Sequence, residues 1–250
     1  MLGLGSQSEM QKNRAITDLL KLLKTDRLNS LASKAIALNA VPPLVAALES
    51  RSSVQLKVKA SVALGMLFHG NLGKNTIMAQ FESSTVTIIG HLVDYLSFQR
   101  PDGEVQEKAA LEALRNLSVH DDFCVQIAAS TGAITTLVDL LRSEISALQK
   151  MAAETLRSLS AHADIGIKIA AAGAVPILVE LVSSQSPVQM EAVETLRNLS
   201  VHPGIGFEIA ASGGHAALIE TLKYFSDNAL LLPLVKTCLE ALPNSVSKSY

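Results

Sequence analysis

The sequence predicts an all-α fold built as a stack of short helical repeats. Two repeated anchors and one compositional bias predict it. The segment ALEALRNLSVH (Ala110–His120) recurs as AAETLRSLSAH (Ala152–His162) and AVETLRNLSVH (Ala192–His202), with the central leucines Leu114, Leu156 and Leu196 spaced 42 and 40 residues apart. Between these lies a second anchor, IAASTGAITTLVDLL (Ile127–Leu141), repeated at Ile169–Val182 and Ile209–Leu222. A fixed period near 40 with two anchors per unit is the signature of a solenoid. Hydrophobic residues make up 48% of the 250 but aromatics only 4%, with no Trp. Such a core is made of Leu, Ala, Val and Ile, which suits close-packed helices.

Taken in order, the elements begin with an amphipathic helix at about Glu9–Leu23, expected to cap the first repeat. A weaker copy of the first anchor, Ala60–Gly70, places Leu64 another 50 residues upstream of Leu114, and a decayed copy, Val235–Asn244, places Leu239 43 residues beyond Leu196. Each unit reads as three helices. The first is short, as in Asp164–Ala172, and ends at a Gly suited to the left-handed C′ position. The second follows at once, as in Val175–Val182, with Pro176 in its first turn. The third is longest, as in Pro187–Ser200, with Ser186 as expected N-cap and Pro187 at the first helical position. Ala192, Val193, Leu196 and Leu199 form its apolar stripe, and Pro203 stops it.

A short helix, a Gly turn and two further helices resemble the armadillo repeat family: A-x-x-L-x-N-L-S on the third helix and I-x-x-x-G-A-I/V-P-x-L-V on the first two. The resemblance covers roughly residues 29–244. It implies a right-handed superhelix of about five three-helix repeats with an N-terminal capping helix. The division is then 1–28 for the tail and cap, repeats 29–70, 71–120, 121–162, 163–202 and 203–244, and a tail at 245–250. The wording "LRNLS" with "GAVPILVEL" looks like plant and protist armadillo proteins more than nuclear import adaptors. The second repeat is longer by about eight residues, and the excess falls in Phe81–Gly103. An enlarged second helix and a longer polar loop at Ser97–Gly103 are expected there.

In this family the third helices line a concave groove where a ladder of Asn side chains pairs with the backbone of an extended peptide. A carboxamide carries both a donor and an acceptor, so it satisfies both peptide groups. The ladder positions are Met66, Asn116, Ser158, Asn198 and Ala241, so Asn116, Ser158 and Asn198 are the candidate backbone-binding residues. The family's import-cargo pattern places Trp one turn earlier, at Val62, Glu112, Glu154, Glu194 and Thr237. Trp is absent from all five, which argues against an import-adaptor role. Glu112, Glu154 and Glu194 stand there instead, with Arg115, Arg157 and Arg197 three residues on. One reading is a solvated, self-neutralised face of i, i+3 pairs. The other is a groove whose glutamates select a basic or hydroxyl-rich segment, or whose arginines invert that preference by facing inward.

Composition and motifs narrow the remaining classes. Twenty-one basic against 23 acidic residues give a net charge of −2, so a nucleic-acid footprint is not expected. No phosphate-binding loop, nucleophile elbow or paired-Cys motif occurs, and no enzyme, cofactor or catalytic residue is predicted. His120, His162 and His202 close the third helices, with His69 near the equivalent place. Third helices about 8–10 Å apart cannot converge such a ladder on one ion, so charge complementarity at a helix C-terminus is the expected role. Cys124 and Cys238 are too few for a disulfide framework and read as small buried thiols of a reducing compartment. No signal peptide, myristoylation pattern or membrane-length apolar run is read, and a cytoplasmic or nuclear location is expected.

The final helix, Asn228–Leu242, reads as apolar around most of its circumference, with Pro233 expected to break or kink it. Terminal repeats normally carry a polar outer face, so this end is a candidate assembly contact. The expected function is a non-catalytic scaffold or adaptor binding a protein partner in the third-helix groove. The alternative is a structural subunit docking through its convex face or C-terminal repeat.

Overall fold

Apolar residues at three- and four-residue spacing make helices that bury one stripe against their neighbours. The computed structural model describes residues 9–25, 40–49, 53–68, 86–97, 104–184, 186–224 and 230–243. Every regular element among them is a helix. The chain divides into two compact units, Met1–Ala133 and Ile134–Tyr250.

The first unit contains α1 (Glu9–Thr25), α2 (Val41–Glu49), α3 (Val54–Phe68), α4 (Val86–Ser97), α5 (Glu104–Leu117) and α6 (Asp121–Ala129). Helix α1 packs on α3, which also meets α2 and α5. The amphipathic segment at the start of the chain therefore covers the first repeat as expected, burying Ile16 and Leu19. Polar contacts fasten it. Lys59 Nζ donates to Asn13 Oδ1 at 2.8 Å and Thr17 Oγ1 at 3.2 Å. The Glu9 carboxylate accepts the Ser53 backbone N–H at 2.8 Å, next to the first turn of α3. Hydrogen bonds from Ser53, side chain first and then backbone, hold the Glu9 carboxyl below its ordinary value of 4.5. A depressed carboxyl contributes stability above its unfolded value and loses it as pH falls through the folded one. A side-chain NMR titration is expected to show Glu9 titrating below the ordinary glutamate value, and Ser53→Pro, which removes the backbone donor, to erase the difference.

The excess length of the second repeat appears in α4, whose apolar second helix is longer than its counterparts in the later repeats. The expected loop at Ser97–Gly103 lies outside the described residues, apart from Ser97 at the end of α4.

In the second unit lie α7 (Ala133–Leu140, its first residue closing unit one), α8 (Ser146–Ser160), α9 (Ala163–Ala171), α10 (Ala174–Ser183), α11 (Gln189–Leu199), α12 (Pro203–Ala211), α13 (Gly214–Tyr224) and α14 (Leu231–Ala241). The three repeat glycines hold left-handed φ values of +78° at Gly132, +81° at Gly173 and +88° at Gly213. A side chain is strained there. At Gly173 the turn sends α10 off at 87° to α9. Leu156, Leu196 and Leu199 are fully buried, and α11 packs against α8, α10 and α14.

Three local expectations are corrected. Helix α11 begins at Gln189 rather than Pro187, with Val188 in the N-cap place. Ser186 still caps the turn before it, its Oγ accepting from Val188 N at 3.4 Å and its carbonyl from Gln189 N at 2.9 Å. The start is fixed by the Gln189 side chain, whose Nε2 donates to Val182 O at 2.7 Å and Thr221 Oγ1 at 3.3 Å. Gln149 does the same on α8, donating to Leu141 O at 2.9 Å. On α8 and α11 these amides tie the third helix to carbonyls at the end of the second.

The second correction concerns Pro233, which neither breaks nor kinks a helix. Helix α14 starts at Leu231, so Pro233 falls in the first turn, where no intrahelical partner for its missing N–H exists. Nor is α14 apolar all round: Leu231, Val235, Cys238 and Leu242 are buried, while Lys236, Thr237 and Glu240 are exposed. Its outer face is polar.

Third, the histidines do not act only at the C-termini of third helices: their backbone N–H groups close those helices, donating to Leu117 O, Leu159 O and Leu199 O at 3.0–3.2 Å, and the same residues begin the helices that follow. His120, His162 and His202 take the N-cap places of α6, α9 and α12 in extended conformation. Their carbonyls accept the first intrahelical bonds, as from Cys124, Gly166 and Gly206. His120 is buried with its ring edge-on to Phe123 at 5.9 Å. His202 Nε2 lies 3.0 Å from Ala163 O, binding the start of α12 to the start of α9.

Candidate functional site

Residues i, i+3 and i+4 of a helix share one face, so each Glu, Arg and ladder residue of a third helix emerges together. On α5 of the first unit these are Glu112, Arg115 and Asn116. The first two are half-buried, and Asn116 is only 6% exposed. Arg115 Nη2 donates to Asn116 Oδ1 at 3.2 Å. At the outer ladder positions Met66 is half-buried on α3 and Ala241 is exposed on α14; Val62 is buried and Thr237 exposed at the aromatic positions.

In the second unit, α8 carries Glu154, Arg157 and Ser158, and α11 carries Glu194, Arg197 and Asn198. All are half-buried except exposed Arg157. Two of their bonds run between the repeats. Arg157 Nη1 meets Glu194 Oε2 at 2.9 Å, an ion pair from α8 to α11. Glu154 lies 4.0 Å from Lys150 on its own helix. The self-neutralisation expected within each helix at i, i+3 thus appears at Arg157 as a bridge from one repeat to the next. Asn198 accepts from Arg197 Nη2 at 3.0 Å and donates through Nδ2 to Ser160 Oγ at 3.0 Å. Ser158 donates to Glu154 O at 3.1 Å, leaving its oxygen lone pairs as acceptors.

Exposure of 44% at Arg157 and 23% at Glu194 sets the strength of the ion pair. A double-mutant cycle of Arg157→Ala and Glu194→Ala is expected to give a coupling of about 0.5 kcal/mol in urea unfolding, shrinking in high salt.

Sequence reasoning missed the serines that support this row. Ser118, Ser160 and Ser200 are buried, and each donates to the carbonyl of the arginine three residues earlier at 2.7–2.8 Å. Their signal was the invariant Ser of the L-S pair in the three central anchors.

Other chemistry finds little support. Burial pushes the Cys124 thiol up to about 11, with the Asp121 charge adding to it, and Cys238 up to about 12. Cys124 Sγ donates to Ser118 O at 3.1 Å. Such thiols carry almost no thiolate at neutral pH. Among the described residues no group of three His, Cys, Asp or Glu stands close enough to hold a metal ion. No single described helix is long and apolar enough to cross a membrane. An open depression of about 520 Å³ near the ends of α7 and α10 is lined by Arg142, Gln149, Glu180 and Ser186 among others, and by none of the third-helix row.

No protein-family model matches the chain, and no curated protein matches it by sequence. Solved structures do. A computationally designed armadillo repeat protein for modular peptide recognition shares 23% identity at a TM-score of 0.77, covering 96% of this chain and 97% of its own. The fold is an armadillo α-solenoid. An engineered protein of known crystal structure shares 25% identity over 95% of this chain and 92% of its own, at a TM-score of 0.76. A chain from a study of the phosphorylation-controlled interaction between cadherin and beta-catenin matches 99% of this chain with 45% of its own length, at 20% identity and a TM-score of 0.76.

Proposed function

We propose that the chain is a non-catalytic scaffold that binds an extended, basic protein segment on the polar face of its third helices. The carrying observation is the inter-repeat lattice on α8 and α11. Glu154 and Glu194 are held at one register by packed helices, and Arg157 and Asn198 make bonds that a ligand can exchange for its own. A basic side chain replacing Arg157 at Glu194 conserves the ion pair, and a peptide backbone replacing Ser160 at Asn198 conserves the hydrogen bond. Helix α5 carries the same trio, Glu112, Arg115 and Asn116, in the first unit. A designed armadillo protein of the same fold, 22% identical, was solved with the peptide (KR)4, which supports the basic preference.

The finer reading follows the same residues. With Glu in all three central aromatic positions, the repeats fit the plant and protist armadillo style better than an import adaptor. The proposed setting is the cytoplasm or nucleus, with the repeats divided at 70, 120, 162 and 202.

Fluorescence anisotropy with a labelled (KR)4 peptide tests it. Wild type is expected to bind in a salt-sensitive manner, and Glu112→Arg/Glu154→Arg/Glu194→Arg to weaken binding about 100-fold. A circular dichroism melt confirms that the triple variant stays folded. Equal binding by both proteins, or none by wild type, removes the basic-groove reading.

A further inference from the structure

Helices α9 and α12 occupy one register in successive repeats, and both pack against α11. Each turns the same positions inward: Ile165 with Ile205, Gly166 with Gly206, and Ile169 with Ile209 are buried. The glycines bring the helices close, since a Cβ at Gly166 would meet Leu199 Cδ2 at 3.2 Å. The same register turns two large apolar side chains outward. Ile167 is 50% exposed and Phe207 60%. Scattered apolar residues on a surface are ordinary. Here they recur at one position among small exposed neighbours, Ala163 and Ala171 on α9 and Pro203 and Ala211 on α12. The result is an apolar strip along this exposed edge of α9 and α12.

The next position along decides what fits it. Lys168 on α9 and Glu208 on α12 are exposed, of opposite sign, and in equivalent places. A two-fold axis running parallel to the helices and midway between them lays α12 of one molecule over α9 of another. That operation is isologous, so every contact occurs twice. It sets Phe207 against the second copy's Ile167 and Glu208 against its Lys168. It also sets Asp164 against Gly204, so no like charges meet. We propose that this edge is a self-association surface, on which a second copy of the chain docks through α9 and α12. The surface differs from the third-helix face, so two copies present two such faces.

Sedimentation equilibrium of the full chain over a concentration series tests the proposal. Wild type is expected to follow a monomer–dimer equilibrium. Lys168→Glu places two carboxylates together twice per dimer and should weaken association about 30-fold. Phe207→Ala should weaken it on the order of 100-fold, because its burial is also lost twice. The double variant Lys168→Glu/Glu208→Lys restores opposite signs and is expected to return the dimer to wild-type strength. All four residues changed or matched are exposed, and a thermal melt should find the variants folded. A wild type that stays monomeric throughout overturns the proposal, as does a dimer indifferent to Phe207→Ala or a charge swap that fails to rescue. A heterologous protein lost on Phe207→Ala while the chain itself stays monomeric would also overturn it.

Discussion

Replacing Leu196 with Ala is expected to lower the unfolding free energy of the second unit by about 3 kcal/mol, read from urea denaturation followed by helical circular dichroism. The residue is fully buried at the centre of α11, the helix that touches α8 before it and α14 after it. Truncation removes transfer free energy and leaves a cavity, and the measured range for such changes is about 2–5 kcal/mol. Collapse around the gap is restricted because neighbours on both sides belong to separate repeats. Leu239, the decayed copy of the same leucine, is only half-buried on α14. Leu239→Ala is therefore expected to cost clearly less, and equal losses at both sites would contradict the burial argument.

Gln189→Leu should cost about 2 kcal/mol in the same assay, although it removes no volume to speak of. The side chain is 6% exposed and gives hydrogen bonds to Val182 O and Thr221 Oγ1. An apolar replacement leaves a buried carbonyl without its donor, and stranding such a group costs about 1–3 kcal/mol. Gln149→Leu removes one bond, to Leu141 O, from a half-buried position and is expected to cost about half as much. An unchanged urea midpoint in Gln189→Leu would show that the clamp does not contribute to stability.

Much of the fold was legible because its strongest signals are local. The left-handed glycines, the leucine period and the apolar stripes each depend on neighbours within a few residues, and Gly132, Gly173 and Gly213 took the conformation their type favours. Pro233 was misjudged from helix length alone: three residues fewer at the start made it a first-turn proline. The histidines were half legible: the sequence shows them closing the third helices, as their N–H bonds to Leu117, Leu159 and Leu199 do, but only backbone dihedrals show that they also cap the helices that follow. For the candidate row, residue types and spacing were readable but their partners were not. Arg157 to Glu194 and Asn198 to Ser160 span 37 and 38 residues, so no local rule pairs them. Intrahelical pairing was the natural expectation from one helix taken alone.

The N-cap histidines carry a consequence for how such an array can change length. At each of these junctions one residue ends a third helix's turn and caps the following helix with its own carbonyl, as at His162 for Ile165 and Gly166. The joint has no slack. An inserted residue there would rotate the next helix by about 100° and turn its buried stripe outward. Growth must go where a helix can lengthen or a turn can widen, and the extra residues of the second repeat fall within Phe81–Gly103, away from any such joint. Insertions and deletions are thereby channelled away from the His-capped joints.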